Sequence, residues 1–296
     1  MNTKTIGIVG YGYVGKAMAE FFRSHYPVKV YDIAGPSTDG SRPNLTFVKN
    51  LKALESCDLA VVCVSTPPKA DGSCDVSAVD QTVRELKTPL ILVKSTVPPG
   101  TCKRLMMETC KNIVFSPEFS GENKYISPYG FDKEVKRCPF YIFGGNRFLV
   151  DLMVDLIAPI TGPHKKYAYT DSTTAELVKY WENTFLALKV TFCNEMFEIC
   201  NRMNISYWEA RDLWLLDPRM GESHTAVFIN ERGYAGKCLP KDTKALRAAC
   251  RAVGYEPKLI DCMIKRNEDF NALTDELVPA KLVGKKKPLD KKKVKK

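Results

Sequence analysis

Residues 6–15 read Ile-Gly-Ile-Val-Gly-Tyr-Gly-Tyr-Val-Gly, "IGIVGYGYVG", and their order decides the fold class. A short Ile/Val run reads as a strand covered on both faces, and Gly10, Gly12 and Gly15 then form G-x-G-x-x-G where a helix should begin. In such a turn the first glycine makes the bend, the second lets the backbone approach a pyrophosphate, and the third allows the helix to pack on the strand. A helix N-terminus facing the anion completes the arrangement. Gly10, Gly12, Tyr13, Val14 and Gly15 are therefore the candidate residues of a dinucleotide-binding turn.

Asp32 ends the next apolar run, 22 residues after Gly10. A carboxylate there accepts a ribose 2′-hydroxyl and repels a 2′-phosphate, so NAD is the expected cofactor rather than NADP. Further continuous apolar runs follow at 45–48, 58–65, 89–95, 112–116 and 139–145. Their pattern predicts an α/β domain over residues 1–170, a Rossmann-like doubly wound parallel sheet. Two of the runs end in the polar turns "VSTPP" (64–68) and "KSTVPPGT" (94–101), where the carboxyl ends of strands border a ligand crevice. Ser65, Thr66 and Thr96 are candidates there. Turn capping accounts equally well for Thr66, Thr96 or Thr101 taken singly.

From residue 171 the pattern becomes helical. "TTAE" (173–176) fits a capping box, with Thr173 bonding forward and Glu176 reaching back. It opens a long helix over about 173–203 that contains no Gly or Pro, roughly 46 Å at 1.5 Å per residue. Apolar residues on nearly every side predict burial in a helical second domain over 171–280 and in a subunit interface, hence a homodimer. The loop 217–242 is long for a compact domain, and such loops are more often functional than structural. Residues 281–296 form a lysine-rich tail, expected to be disordered.

The net charge of +10 is misleading, because residues 285–296 hold eight lysines and one aspartate, seven of the ten net charges. No nucleic-acid partner is expected on that basis. The eleven cysteines include no C-x-x-C pair and no Cys/His cluster at zinc spacing, which indicates neither a disulfide framework nor a metal. No run reaches the roughly 18 apolar residues of a membrane span, and the opening residues lack a secretory layout. A soluble, cytoplasmic protein is expected.

"YAGKCLPKD" (234–242) sets Cys238 after small residues and before a Lys241–Asp242 pair. Small residues open the backbone to a substrate, and nearby cations favour the thiolate. Lys179 and Asn183 lie four apart on one helical face. A solvated lysine is the plainer reading, but an Asn beside it in a mostly apolar helix implies that both are satisfied inside, where they can hold an oxyanion. "SPEFSGE" (116–122) adds Glu118 and Glu122 just past a strand end, placed to act as base or to orient water, or else simply as surface acids.

The segments "GYGYVG", "VSTP", "KSTVPPGT", "SPEF" followed by Glu122, "ELVKYWENTFLALKVTFCNE" and "GYAGKCLPKD" occur in an order and spacing that resemble the UDP-glucose/GDP-mannose dehydrogenase family over about residues 5–270. The resemblance implies oxidation of a nucleotide sugar's primary alcohol to a carboxylate with two NAD+ in succession, UDP-glucose being the expected substrate. It implies a catalytic thiol at Cys238 accompanied by Lys179, Asn183, Asp242, Thr96, Glu118 and Glu122, with Lys241 on the cofactor side. Glu118, Lys179, Asn183, Cys238 and Arg219, the last reaching in from a neighbouring subunit, make up the implied substrate site.

Three departures from the family pattern stand out. Ala235 replaces the first of two adjacent glycines, "NKYISPYG" after Glu122 differs from the usual continuation, and "LIDCMIKRNEDFNALTDEL" resembles the helix that leads to a third, nucleotide-binding domain but runs into the lysine tail. The third domain is then supplied by another chain, the nucleotide is held differently, or nucleotide-sugar turnover has been lost. Two other readings fit the layout: a single-hydride 3-hydroxyacid-type dehydrogenase, which needs no thiol, and a non-catalytic protein that keeps the NAD fold.

Overall fold

The computed structural model describes residues 4–35, 42–119 and 134–277. One eight-stranded sheet organises the first part of the chain: β1 (Ile6–Val9), β2 (Val28–Tyr31), β3 (Leu45–Phe47), β4 (Leu59–Val62), β5 (Ile91–Val93), β6 (Ile113–Phe115), β7 (Phe140–Gly144) and β8 (Lys166–Thr170). Their spatial order is β3-β2-β1-β4-β5-β6-β7-β8. Helices α1 (Tyr13–Arg23) and α4 (Arg147–Thr161) cover one face; α2 (Ser77–Glu85) and α3 (Thr101–Thr109) cover the other. Strands β1, β4, β5 and β6 are buried along their whole length, which is why they read as unbroken apolar runs.

The sheet departs from the expected parallel order in one place. Every neighbouring pair is parallel except β6 and β7, which run antiparallel and meet through the single pair Phe115–Gly144. β7 enters the sheet from the opposite end, and α4 then returns the chain to β8 parallel to it. β8 itself, "KYAYT", has no continuous apolar run because it is an edge strand whose residues are half-buried or exposed.

Helix α5 (Ser172–Arg202) begins directly beyond β8 and is followed by α6 (Tyr207–Trp214), α7 (Leu239–Ala252) and α8 (Lys258–Leu277). Its N-cap is Asp171, whose carboxylate accepts the Thr174 N–H at 3.0 Å and the Thr174 hydroxyl at 2.6 Å. That corrects the expected Thr173–Glu176 capping box: Glu176 points away from its own helix end. α5 crosses close over β7, since a Cβ on Gly144 would stand 2.6 Å from the Ala175 Cβ and 2.7 Å from the Asp171 carbonyl oxygen. It is also not covered on every side. Leu177, Trp181, Phe185 and Phe192 form an exposed stripe, Trp181 at 67% and Phe185 at 58%.

The segment between α6 and α7 ends at Cys238, four residues earlier than the sequence implies, because Leu239, Pro240, Lys241 and Asp242 form the first turn of α7. Proline at such a position lacks only an N–H that would have no partner there anyway. The segment is well packed, with Thr225, Val227, Arg232 and Tyr234 all buried. Among the described residues no helix is long and apolar enough to cross a membrane, and no group of His, Cys, Asp and Glu is arranged to hold a metal ion. The lysine tail lies outside the described residues.

Candidate active site

Backbone geometry assigns the three glycines separate tasks. Gly10 has φ +88°, and a Cβ on it would stand 2.7 Å from the Cys63 carbonyl oxygen; a Cβ on Gly15 would lie 1.9 Å from the Gly10 oxygen. Those two are required by the protein itself. A Cβ on Gly12, the N-cap of α1, would meet nothing within 4 Å, so this glycine faces open space at a helix N-terminus and is a cradle for an anion. Tyr13 beside it is exposed and Val14 half-buried. Asp32 is fixed next to the turn by accepting N–H groups from Tyr11 at 2.5 Å and Ala34 at 2.8 Å. Open backbone and oriented carboxylate together fit a dinucleotide with an unphosphorylated ribose.

The turns after β4 and β5 close the same crevice. The Ser95 hydroxyl donates to the Val64 carbonyl at 2.7 Å, and the buried Cys74 thiol lies 3.8 Å from the Thr66 oxygen and 3.6 Å from the Thr96 oxygen, tying the two turns together. Ser65 is exposed, Thr66 buried and Thr96 half-buried.

α5 and α7 build the polar centre. Lys179, Asn183 and Asp242 are 9%, 6% and 1% exposed, so each needs a partner. Lys179 Nζ donates to Asn183 Oδ1 at 3.3 Å, Asn183 Nδ2 donates to Asp242 Oδ2 at 2.5 Å, and Lys241 Nζ reaches Asp242 Oδ1 at 2.6 Å. The lysine expected on the cofactor side is thus engaged by its neighbouring aspartate. Cys238 is the N-cap of α7 and is exposed, and its carbonyl accepts the Asp242 N–H at 2.9 Å, one turn from the buried carboxylate.

The backbone leading to Cys238 is clipped from two helices. Asn194 Oδ1 on α5 accepts the Gly233 N–H at 3.2 Å, and Asn267 on α8 accepts the Tyr234 N–H at 2.6 Å while donating to its carbonyl at 2.9 Å. Arg232, buried against Phe197, bonds Asn194 at 2.8 Å and Glu198 at 2.8 Å. Gly233 and Gly236 take positive φ, whereas Ala235 does not, so Ala235 introduces no backbone strain.

Glu118 lies past the end of β6 and pairs with Lys94 at 3.1 Å, both nearly buried. Lys94 also donates to the Ser116 hydroxyl at 3.3 Å and the Pro117 carbonyl at 2.9 Å. A buried carboxylate so paired is held in one orientation. Phe119 next to it lies under Lys179, with Nζ 5.3 Å from the ring centre, which joins the two halves of the site. Sequence reasoning passed over Lys94; the available signal was a lysine closing a fully apolar strand. It also passed over Asn194 and Asn267, whose role is purely spatial. Arg219 is 81% exposed at its side chain and bonds Asp217, 2.9 Å away, and is not brought to this site within the chain. Glu122 lies outside the described residues.

A glycine turn, an acidic strand end and a helical domain folded over the crevice define a dinucleotide-binding α/β protein of the dehydrogenase type. Comparison with known proteins narrows this. Residues 37–134 match the NAD binding domain, and residues 173–269 the central domain, of the UDP-glucose/GDP-mannose dehydrogenase family. The chain is 29% identical over 230 residues to a UDP-glucose 6-dehydrogenase of Rickettsia bellii, covering 74% of this chain and 51% of the relative. To one of Rhizobium meliloti it is 30% identical over 240 residues, 76% of this chain and 53% of that protein. The solved structure of a UDP-glucose dehydrogenase from the archaeon Pyrobaculum islandicum superimposes with a TM-score of 0.76 at 26% identity, over 90% of this chain and 68% of that one. The chain belongs to the UDP-glucose/GDP-mannose dehydrogenase family and carries its NAD-binding and central domains. It spans about half the length of these curated relatives.

Proposed function

We propose that this site oxidises the primary alcohol of a nucleotide sugar, UDP-glucose, to the carboxylate by way of a thioester on Cys238. The observation that carries the reading is the buried chain Lys179–Asn183–Asp242 with Cys238 one helical turn from its end. Gly10, Gly12, Gly15 and Asp32 would hold NAD, with Thr66 and Thr96 at the far side of the crevice; the cofactor would supply the hydride acceptor, a fresh NAD+ for each of the two oxidations. Cys238 adds to the aldehyde carbon formed first, because an aldehyde needs a nucleophile before it can lose a second hydride. Lys179 and Asn183 donate to the oxygen at each tetrahedral stage, a contribution of about 3 kcal/mol per donor in comparable sites. Asp242 keeps Asn183 oriented so that its N–H groups face one way. Glu118, fixed by Lys94, orients the water that cleaves the thioester and returns Cys238 as thiolate.

A second copy of this chain is the partner that the α5 stripe fits. Lys189 on α5 donates to the Met220 carbonyl at 2.9 Å and to the Gly221 carbonyl at 2.6 Å, which holds the Arg219 segment alongside that helix. A copy packed on α5 would meet Arg219 and gain it for its own sugar site. The eleven free cysteines fit a reducing cytoplasm.

Counting NADH against sugar consumed tests the reaction. Two NADH per carboxylate are expected, with no free aldehyde, and Cys238→Ser should lose the second oxidation or the hydrolysis while binding NAD+ normally. One NADH per sugar, with the serine variant turning over as the parent does, would replace this reading by a single-hydride dehydrogenase.

A further inference from the structure

Glu176 sits on α5 one turn before Lys179 and is 0% exposed. Its Oε2 accepts the Gly100 N–H at 2.5 Å and its Oε1 the Cys102 N–H at 2.8 Å, and the Cys102 thiol donates to the same carboxylate. These are among the first N–H groups of α3, which find no acceptor within their own helix. Gly100, the N-cap of α3, has φ +93°, a conformation in which a serine or threonine cap would be strained, so these N–H groups need an acceptor from outside the turn. The fold buries a carboxylate from a residue about 75 positions away along the chain. Among the described residues Glu176 pairs with no cation.

The bond joins two functional elements. α3 follows directly on the turn that carries Thr96, and α5 carries Lys179 and Asn183 three and seven residues beyond Glu176. We propose that Glu176 is a positioning residue for the redox site, holding the β5–α3 turn and its Thr96 in register with the donors Lys179 and Asn183. This rests on the function proposed above. Of the other ionisable groups near it, Cys102 on α3 and Tyr180 on α5 are kept protonated by burial. Lys179 is engaged by Asn183, and Arg104, further along α3, by Asp80 and Glu108. From the sheet, β6 and β7 present Ile113, Phe115 and Ile142 on this side. Burial, only partly offset by the N–H and thiol bonds, raises the Glu176 carboxyl to about 7, so its charged, doubly accepting form is gained on crossing neutral pH.

The test is an NAD+ titration by calorimetry at a series of pH values, together with amide exchange at Gly100 and Cys102, on the parent chain, Glu176→Gln and Glu176→Asp. In the parent, NAD+ affinity should rise and both amides become better protected as pH passes through about 7. Glu176→Gln turns one acceptor into a donor facing an N–H group; it should bind NAD+ about fivefold more weakly at high pH, a typical coupling between sites, with no step near neutrality. Glu176→Asp, one methylene shorter, should keep the step with weaker protection. A purely structural role predicts the reverse slope, because ionising a buried carboxylate lowers fold stability as pH rises. Affinity that tracks the melting temperature, or a glutamine variant that matches the parent at every pH, overturns the proposal. If the glutamine variant does not fold, absence of the step in the parent does so. A parent chain that binds no NAD+ at any pH defeats the function proposed above and this inference with it.

Discussion

Burial moves two side chains far from their ordinary protonation: Glu176 rises from 4.5 to about 7, and His224, buried near Lys189, falls from 6.5 to about 4. Their effects on stability oppose each other. A carboxyl raised on folding contributes fully below 4.5 and loses that contribution as pH climbs through about 7. A histidine lowered on folding contributes fully above 6.5 and loses it as pH falls through about 4. Between 4.5 and 6.5 these two slopes oppose each other, while Glu182, whose carboxyl burial also raises, adds to the Glu176 side, so the parent's stability by denaturant titration should fall only gently with pH there. Relative to the parent, Glu176→Gln should tilt the profile towards rising with pH across this window, and His224→Gln towards falling, each by up to about 1.4 kcal/mol per pH unit. The glycines of the turn and Asp32 were legible from sequence because their constraints are local: φ, a missing Cβ, a strand end. Glu176 was misread because "TTAE" satisfies a local capping rule that a distant helix N-terminus overrides. Lys179 and Asn183 were legible through four-residue spacing, and Asp242 through the resemblance, but that Asp242 is the group that holds Asn183 could be found only from the way α5 meets α7.

At the scale of elements, a start signal followed by a long run without Gly or Pro located α5 within a residue or so at each end, and continuous apolar runs located seven of the eight strands. The eighth was hidden by its half-exposed edge, and the reversal of β7 by the absence of any sequence mark for strand direction. The apolar surround of α5 separates in the fold into a buried side against α7 and α8 and the exposed stripe Leu177, Trp181, Phe185, Phe192. If that stripe joins two copies, Trp181→Glu or Phe185→Glu should yield a monomer in sedimentation at micromolar concentration. Aromatic anchors at the centre of an interface commonly cost 2 kcal/mol or more when removed, about thirtyfold in association. A parent chain that is already monomeric under those conditions would leave the stripe without the assigned partner.

For the molecule as a whole, the crevice between sheet and helical domain should report on cofactor choice through global stability. At about one hundred times its dissociation constant, NAD+ should stabilise the chain by roughly 2.7 kcal/mol. NADP+ at the same concentration should do markedly less, because Asp32 faces the ribose; at least tenfold weaker binding is expected, about 1.4 kcal/mol. Equal shifts in melting temperature for the two would remove the role given to Asp32. The single Phe115–Gly144 pair between β6 and β7 has a different consequence, one of kinetics. β7, α4 and β8 are consecutive in the chain and pair with each other over five registers, whereas the seam to β6 has one. Such a strand–helix–strand unit closes a short loop and is suited to early folding, leaving its docking onto the six-stranded part as the late, slow event. Interactions at the seam then belong to the native side of the folding barrier: weakening them hastens unfolding and leaves the folding rate nearly unchanged.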